Sequence, residues 1–226
     1  MNIAIIPARI GSKRLPKKNI KLFLGKPIIS YAILAAKRSK LFDKIIVTTD
    51  SKKIKKIAEL YGAEVPYLRP NSLSTDKVHF NYSIRHMIKW LKKKNLKVNN
   101  VCCIYPTSPL IKKKFLIEGY KLLKKNRNFV FSACLYRSPP QRGFFYQKNL
   151  LKLFDKNSYS KRSQDLKNIY HDAGQFYWGT AKNWLKNDII FNKKSAIVEI
   201  PYLDFIDINY FSDWKIAEKL FKLKIK

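Results

Sequence analysis

The sequence predicts an α/β fold in which a mostly parallel sheet lies between two layers of helices. Short apolar or β-branched runs alternate with amphipathic runs of helical length through residues 1–135. Neighbouring parallel strands need a crossover connection, and helices of this length supply one. Because 46% of the 226 residues are hydrophobic and 14% are aromatic, the chain can also bury the core that three layers require.

The predicted strands are apolar or β-branched runs that end at loops. Residues 2–8 and 44–50 are of this kind, and the second reads KIIVTTD. Residues 100–105 and 129–135 have the same character, and Pro106 ends the first of these two runs. Shorter strand signals lie at 64–67, 174–178 and 195–200.

The predicted helices have apolar residues on one face and lysines on the other. Residues 51–61 place Ile54, Ile57 and Ala58 on one face and are followed by Gly62, which is typical of a helix end. Residues 80–95 repeat apolar side chains at helical spacing. The remaining helices are predicted at 27–39, at 112–125 and from an N-cap at Ser212.

Residues 136–170 depart from this alternation. They contain the run SPPQRG and a polar stretch at 156–167. We therefore expect one domain over residues 1–226, in which 136–170 forms a small excursion that leaves the sheet and reaches a second subunit.

The charge balance is strongly basic, with 47 Lys and Arg residues against 15 Asp and Glu residues and a net charge of +32. One interpretation is a nucleic-acid or anionic-membrane partner. The other is a compositional bias toward Lys, Ile, Asn, Phe and Tyr. The lysines are spread along the whole chain, whereas a dedicated nucleic-acid binder concentrates its charge in a patch or an arm. The second interpretation is therefore favoured.

The positions of the cysteines and histidines argue against a disulfide scaffold and against a zinc site. Two of the three cysteines, Cys102 and Cys103, are adjacent on a predicted strand, so they point to opposite faces and form no routine disulfide. The three histidines have no zinc-binding spacing. No stretch approaches about 18 uninterrupted apolar residues, and residues 1–8 lack the basic start of a signal peptide. We expect a cytoplasmic protein without a membrane partner.

The strongest chemical signal is the basic loop IPARIGSKRLPKKN at 6–19, which follows the first predicted strand. Ligands of parallel sheets bind at the carboxyl ends of strands. Gly11 lets backbone N–H groups approach phosphate oxygens, Arg9 can bind two oxygens at once, and lysines add compact charge. A solvated basic loop is the alternative, and the Gly-Lys-Pro corner at 25–27 favours a phosphate site over it. No GxxxxGK[ST] motif is present, so the loop is not a P-loop.

Further motifs follow this loop in a fixed order. They are VTTDS at 47–51, LRP at 68–70, STD at 74–76, YPTSPL at 105–110, DIN at 207–209 and DW at 213–214. The ordered set covers nearly the whole chain and resembles the cytidylyltransferases that activate nine-carbon acidic sugars, the acylneuraminate cytidylyltransferase family. The resemblance implies a Rossmann-like nucleotide-diphospho-sugar transferase fold. It also implies a nucleotidyltransferase that moves CMP from CTP to the sugar acid and releases pyrophosphate.

Three features resemble the branch of this family that uses pseudaminic acid. Tyr105 precedes PTSP where the sialate branch typically has Gln. PQR lies at 140–142, and the runs RSQDL and YHDAGQFYW begin at Arg162 and Tyr170. The same reaction on legionaminic or N-acetylneuraminic acid is the alternative. The 3-deoxy-octulosonate cytidylyltransferases share the basic loop, but YPTSPL stands in place of their Gln-Gly-Asp-Glu-Pro element.

The resemblance also implies residue roles. Arg9, Lys18 and Asp207 would be catalytic, and the first two would stabilise the triphosphate and the leaving pyrophosphate. The implied nucleotide site comprises Ala8, Arg9, Gly11, Ser12, Lys13, Lys18, Asn19, Arg69 and Asp76. The implied sugar site comprises Tyr105, Thr107, Ser108, Gln141, Arg142, Asp172 and Gln175.

A Mg²⁺ ion and a homodimer are further implications of the resemblance. The family pattern places two acids two residues apart, and here Asp207 matches the first while Asn209 replaces the second. Asn keeps an oxygen ligand but loses the charge. Asn209 and the charge of +32 together motivate an alternative of another class, an inactive basic module that binds nucleic acid.

Overall fold

The computed structural model describes residues 1–76, 78–186 and 189–224 and confirms the α/β fold. Its strands and α-helices, in chain order, are β1 (Asn2–Pro7), β2 (Leu22–Phe23), β3 (Lys26–Pro27), α1 (Ile28–Ser39), β4 (Lys44–Thr48), α2 (Lys52–Leu60), α3 (Phe80–Lys93), β5 (Asn100–Ile104), α4 (Lys113–Leu123), β6 (Phe129–Leu135), β7 (Phe144–Gln147), β8 (Leu150–Leu153), β9 (Tyr170–Thr180), α5 (Ala181–Lys186), β10 (Ala196–Glu199) and α6 (Phe211–Lys222).

The central sheet has six strands in the order β10-β6-β9-β5-β1-β4. β4, β1 and β5 are mutually parallel, and Ile5 of β1 pairs with Ile46 on one side and Cys103 on the other. β10 is parallel to β6. β9 runs antiparallel between β5 and β6. The sheet is therefore mostly parallel, and the carboxyl ends of β1, β4 and β5 lie at one edge.

β9 is longer than the strand predicted at 174–178. It begins at Tyr170, and its pairing with β6 shifts register between Phe131 and Ala133. Gly174 lies in this irregular part with a φ of 57°, a conformation that glycine adopts without strain. The residues before Gly174 are mostly polar, so a hydrophobicity pattern does not predict the first half of this strand.

Two apolar layers cover the two faces of the sheet. Ala4 and Ile6 of β1 pack with residues of α1, α2 and α4 on one face. Ile3 and Ile5 pack with residues of α3 and α5 on the other. Alternate residues of a strand point to opposite faces, so one short run serves both layers. The prediction for the adjacent cysteines is confirmed, because Cys102 and Cys103 belong to different layers and are both free.

The helix boundaries follow their capping groups. The Ser51 hydroxyl accepts hydrogen bonds from the N–H groups of Lys53 and Ile54 at the start of α2. Gly62, with a φ of 90°, follows its end, as predicted. The prediction of Ser212 as the N-cap of the last helix is wrong. The helix begins at Phe211 because the carboxylate of Asp213 accepts the N–H groups of Asn209 and Tyr210.

A third apolar cluster fixes α6 next to the basic loop. Phe23 packs edge-on against Trp214 and Phe221 of α6, with ring centroids 5.5 and 5.7 Å apart. Ile28 and Ile208 are buried in the same cluster. This packing places the 207–209 segment, which precedes α6, close to residues 9–21.

The predicted excursion is built around the β7–β8 hairpin. Phe144, Phe145 and Tyr146 of β7 are all more than half exposed, and so are Leu150 and Leu151 of β8.

Among the helices that the structure describes, none is long and apolar enough to cross a membrane.

Candidate active site

The loops that follow β1 and β4 are joined by hydrogen bonds at the carboxyl edge of the sheet. The Ala8 N–H donates to the Thr48 carbonyl (3.0 Å), and the Ile10 N–H donates to the Asp50 carboxylate (3.1 Å). The Arg69 N–H donates to the carbonyl of Thr49 (2.6 Å). These bonds hold the basic loop and Arg69 on either side of the strand ends. Ala8 itself is fully buried, so its contribution to a ligand would come from its backbone.

The basic loop curves around a cavity of its own. The buried amide of Asn19 donates to the Arg9 carbonyl (2.8 Å) and closes the curve. The wall of this cavity includes seven of the residues predicted for the nucleotide, which are Arg9, Gly11, Ser12, Lys13, Lys18, Asn19 and Asp76. Converging cations and a glycine backbone suit a polyphosphate.

Lys18 connects the loop to the segment that carries Asp207. Its ammonium donates to the carbonyl of Ile208 (2.6 Å). Burial lowers the pKa of Lys18, the neighbouring Arg14 and Arg9 lower it further, and Asp207 opposes them. Burial and neighbouring cations both disfavour the charged form of a lysine. A bound anion would stabilise that charged form in place of the lost water.

Arg69 is a buried cation held in one orientation. Only 5% of its surface is exposed. It donates to the hydroxyls of Ser74 (3.0 Å) and Ser83 (2.8 Å). Burial lowers its pKa, but an arginine remains charged at neutral pH. It lines a second cavity of about 200 Å³ together with Arg9, Asn19 and Asp76.

Asp76 sits on the cations of the basic loop. Its carboxylate forms ion pairs with Arg9 and with Lys13, the latter at 3.2 Å. Hydrogen bonds from these two residues hold the pKa of Asp76 below its usual value. A carboxylate therefore occupies positions that a phosphate group would also favour.

Asp207 and Asn209 form a pair of oxygen-bearing side chains next to Lys18. The amide of Asn209 donates to the exposed carboxylate of Asp207 (2.6 Å). Within the described ranges, no group of three or more His, Cys, Asp or Glu residues could hold a metal. One carboxylate and one amide oxygen suit Mg²⁺, which commonly takes few protein ligands and completes its shell with phosphates and water.

Two of the residues predicted for the sugar lie in the second cavity. Tyr105 and Thr107 line it together with Arg69. The ring of Tyr105 packs against Tyr177, with centroids 5.4 Å apart, and the Tyr177 hydroxyl donates to Asp172 (2.5 Å). Burial raises the pKa of both phenols, so they remain neutral hydrogen-bonding groups. Tyr177 therefore lies between Asp172 and Tyr105, and Tyr105 lines the cavity.

The remaining predicted sugar residues lie outside the walls of these two cavities. The Ser108 hydroxyl is 3.5 Å from the Gly174 carbonyl. The buried amide of Gln141 donates to the backbone carbonyl of Lys167 (2.7 Å). Arg142 is exposed on the excursion and donates to the Ser163 hydroxyl (3.2 Å).

Gln175 is also buried and engaged within the fold. Its amide donates to the carbonyl of Asp204 (2.7 Å). The carboxylate of Asp204 in turn accepts from Lys112 (2.8 Å) and from Lys224. In the described structure Gln175 therefore supports the segment that leads to Asp207.

Two residues that shape the site are absent from the sequence-based predictions. Ser83 fixes Arg69 from the inward face of α3, and a polar residue at an apolar position of that helix is a signal that could have found it. Asp204 has no local signal, because its partners Lys112 and Lys224 are distant in sequence.

Comparisons with known proteins agree with this architecture. A family model described as cytidylyltransferase matches residues 3–216. The pseudaminic acid cytidylyltransferase of Campylobacter jejuni is 41% identical over 98% of this chain and 97% of its own length. The CMP-N,N'-diacetyllegionaminic acid synthase of Legionella pneumophila is 34% identical over 98% and 96%. A solved CMP:2-keto-3-deoxy-manno-octonic acid synthetase complexed with CTP covers 99% of both chains with a TM-score of 0.72, and at 12% identity it shows a shared fold.

Proposed function

The chain belongs to the cytidylyltransferase family, and on that basis we propose that it transfers CMP from CTP to pseudaminic acid and releases pyrophosphate. The observation that carries the proposal is the convergence of Arg9, Lys18 and Arg69 at the carboxyl edge of the sheet, in a chain that is 41% identical to a pseudaminic acid cytidylyltransferase. The legionaminic acid relative is less similar, at 34%.

The arrangement supports a reaction that depends on positioning and charge. The anomeric hydroxyl of the sugar would attack the α-phosphorus of CTP, and pyrophosphate would leave. Arg9, Lys13 and Lys18 surround one cavity, so their charges would stabilise the negative charge that develops on the leaving group. Arg69 is held rigidly by Ser74 and Ser83, so it would orient the nucleotide at little entropic cost.

Magnesium is part of this proposal. Asp207 and Asn209 are the residues that would hold the ion, together with phosphate oxygens. When bound, Mg²⁺ neutralises phosphate charge and polarises the phosphoryl group. Lys18 donates to the carbonyl of Ile208 and so holds the Asp207 segment against the basic loop.

The proposal extends to a cytoplasmic homodimer. The β7–β8 hairpin exposes Tyr146 at 67% and its cross-strand partner Leu151 at 59% on one face, and a second copy would cover this apolar surface. Arg142 lies just before β7, so it would be close to the proposed dimer surface. The three cysteines are buried and free, in keeping with a reducing compartment.

The decisive experiment is a substrate panel. The purified chain is incubated with CTP and Mg²⁺ and, in separate reactions, with pseudaminic, legionaminic or N-acetylneuraminic acid. Pyrophosphate release and the CMP-sugar are both measured. We expect the highest kcat/KM with pseudaminic acid. Arg9→Met should lose turnover, and the matched variant Arg127→Met, which removes an exposed cation far from the site, should retain it.

The other outcomes are distinct. Preference for legionaminic or N-acetylneuraminic acid would keep the reaction and overturn the substrate. A folded protein that turns over none of the three acids, yet binds nucleic acid with a steep salt dependence, would replace the enzyme with a basic binding module.

A further inference from the structure

A cavity of about 640 Å³ lies between α1, α4 and the end of α6, and it shares no lining residue with the two cavities of the candidate active site. Its floor is apolar and includes Tyr31, Leu34, Ile111 and Phe221. Cavities of this size hold small organic ligands. Lys26 of the Gly-Lys-Pro corner and Pro109 of YPTSPL line it, but the proposed reaction does not use it.

The rim of this cavity is strongly basic. Lys26, Arg38, Lys113 and Lys114 line it, and its lining, as far as the structure describes it, contains no acid. Lys112 also lines it, but its ammonium is paired with Asp204. In the described part of the chain, the other four cations form no ion pair. Four like charges around one opening repel one another, and an anion bound there would relieve that repulsion.

The start of α4 adds to this positive potential. Lys113 and Lys114 occupy its first turn, which holds no acid, and the N-cap residue Lys112 makes no side-chain capping bond. The N-terminus of a helix carries a partial positive charge and favours anions, so lysines there oppose the usual preference. The N-terminus of α4 and the basic rim therefore both favour a negatively charged ligand.

We propose that this cavity binds a small amphiphilic phosphate, in which a phosphate monoester is joined to an apolar chain or ring. The phosphate would lie at the rim, where it accepts hydrogen bonds from Lys113 and Lys114. The apolar part would cover Leu34 and Phe221. A second copy of this chain fits poorly, because its net charge of +32 would meet the same basic rim.

The test is calorimetric titration with dodecyl phosphate below its critical micelle concentration. We expect saturable binding of one molecule per chain that persists with CTP present. Inorganic phosphate and dodecyl maltoside, which each supply half of the chemistry, should bind at least about tenfold more weakly. Absence of binding would overturn the proposal. Stoichiometric competition by CTP would overturn it as well, because it would locate the phosphate in the basic loop.

A pair of matched variants locates the site. Lys113→Glu with Lys114→Glu reverses two charges at the rim and should weaken binding about tenfold or more through loss of charge-assisted hydrogen bonds. Acids in a first helical turn are favourable, so this variant should fold. Lys121→Glu with Lys125→Glu changes the net charge equally at exposed positions outside the lining and should leave binding within about twofold. Equal weakening in both variants would mean general attraction to a basic protein and would refute the site.

Discussion

Lys18 ties two parts of the molecule together, because it lies in the basic loop and donates to the carbonyl of Ile208 near the other end of the chain. Lys18→Met keeps most of the side-chain volume and removes the charge and the hydrogen bond. We expect kcat/KM for CTP to fall about 100-fold, since loss of one group that stabilises a developing anion typically has this effect. Steady-state pyrophosphate release measures it.

A neighbouring lysine supplies the control for Lys18. Lys17→Met removes the same charge from the same loop, but its side chain is exposed and absent from the cavity wall. Turnover should stay close to that of the parent. If the two variants lose activity equally, the loop acts only through its net charge, and the specific role of Lys18 is wrong.

Asp76 competes with phosphate for the cations of the loop. Asp76→Asn removes the carboxylate that is paired with Arg9 and Lys13. Exposed ion pairs are weak, so we expect the Kd for inorganic pyrophosphate to fall only about two- to fivefold. Titration calorimetry with pyrophosphate alone checks this, and an unchanged or weaker affinity would contradict it.

Asp213 makes stability depend on pH. Hydrogen bonds from the N–H groups of Tyr210 and Asn209 hold the pKa of its carboxyl below the usual value. A carboxyl with a lowered folded-state pKa stabilises the fold above its ordinary pKa, and this stabilisation is lost as the pH falls through the folded-state value.

The Asp213→Asn variant tests this cap. It should lower the free energy of unfolding by about 1 kcal/mol at pH 7, as for other helix caps, and the difference should shrink toward pH 3. Urea denaturation at the two pH values measures it. A difference of the same size at both would assign the effect to packing instead of charge.

At the scale of elements, α4 and β9 meet without room for a side chain between them. A Cβ atom on Gly119 of α4 would lie 2.8 Å from the indole of Trp178 and 2.9 Å from the ring of Phe176. Alanine is favoured over glycine in a helix by about 1 kcal/mol, but a clash with two fully buried rings costs about 1–3 kcal/mol.

We therefore expect Gly119→Ala to destabilise the fold despite its better helix propensity. Chemical denaturation measures the change, and Glu118→Ala, at an exposed position of the same helix, serves as its control. A more stable Gly119→Ala variant would show that the helix and the strand can separate without loss.

The elements that the sequence predicts well are those with one-sided or continuous apolar patterns. β1, β4, β5 and β6 end within two residues of their predicted limits, because buried parallel strands are nearly all apolar. The first half of β9 is polar and irregular, so its pattern predicts a loop. Pairing across the sheet decides its conformation.

The candidate site also has a part that the local sequence predicts and a part that it does not. The basic loop is local in sequence, and its charge and glycine indicate a phosphate site directly. The resemblance implies that Gln175 contacts the sugar, and the structure adds a contact that the sequence does not indicate: its amide donates to the carbonyl of Asp204, whose carboxylate is held by Lys112 and Lys224. Contacts between residues so far apart depend on the whole topology, which local patterns do not contain.

At the scale of the whole molecule, the apolar β7–β8 hairpin predicts self-association. Tyr146→Asp with Leu151→Asp changes two cross-strand partners, so it places two charges on one exposed face, and it should shift the protein from dimer to monomer. Sedimentation velocity measures the change. Leu60→Asp, at an isolated position that is 82% exposed on α2, is the control and should leave the dimer intact.

The net charge of +32 leads to a second expectation for the proposed dimer. Two such chains repel each other, and salt screens that repulsion over about 10 Å at 0.1 M. Dimer affinity should therefore rise with ionic strength. Dissociation on adding salt would indicate that ion pairs, and not the hairpin, hold the dimer together.

The position of β9 in the sheet has a consequence for synthesis on the ribosome. β5 and β6 follow each other in the sequence but do not pair, because β9 lies between them. After residue 135 has emerged, one edge of β5 stays open until residues 170–180 are made, and β6 has neither of its neighbours, because β10 follows β9 in the chain. At about 5–20 residues per second this takes several seconds. During that interval one edge of β5 and both edges of β6 are unpaired and apolar, which is the kind of surface that chaperones protect from aggregation.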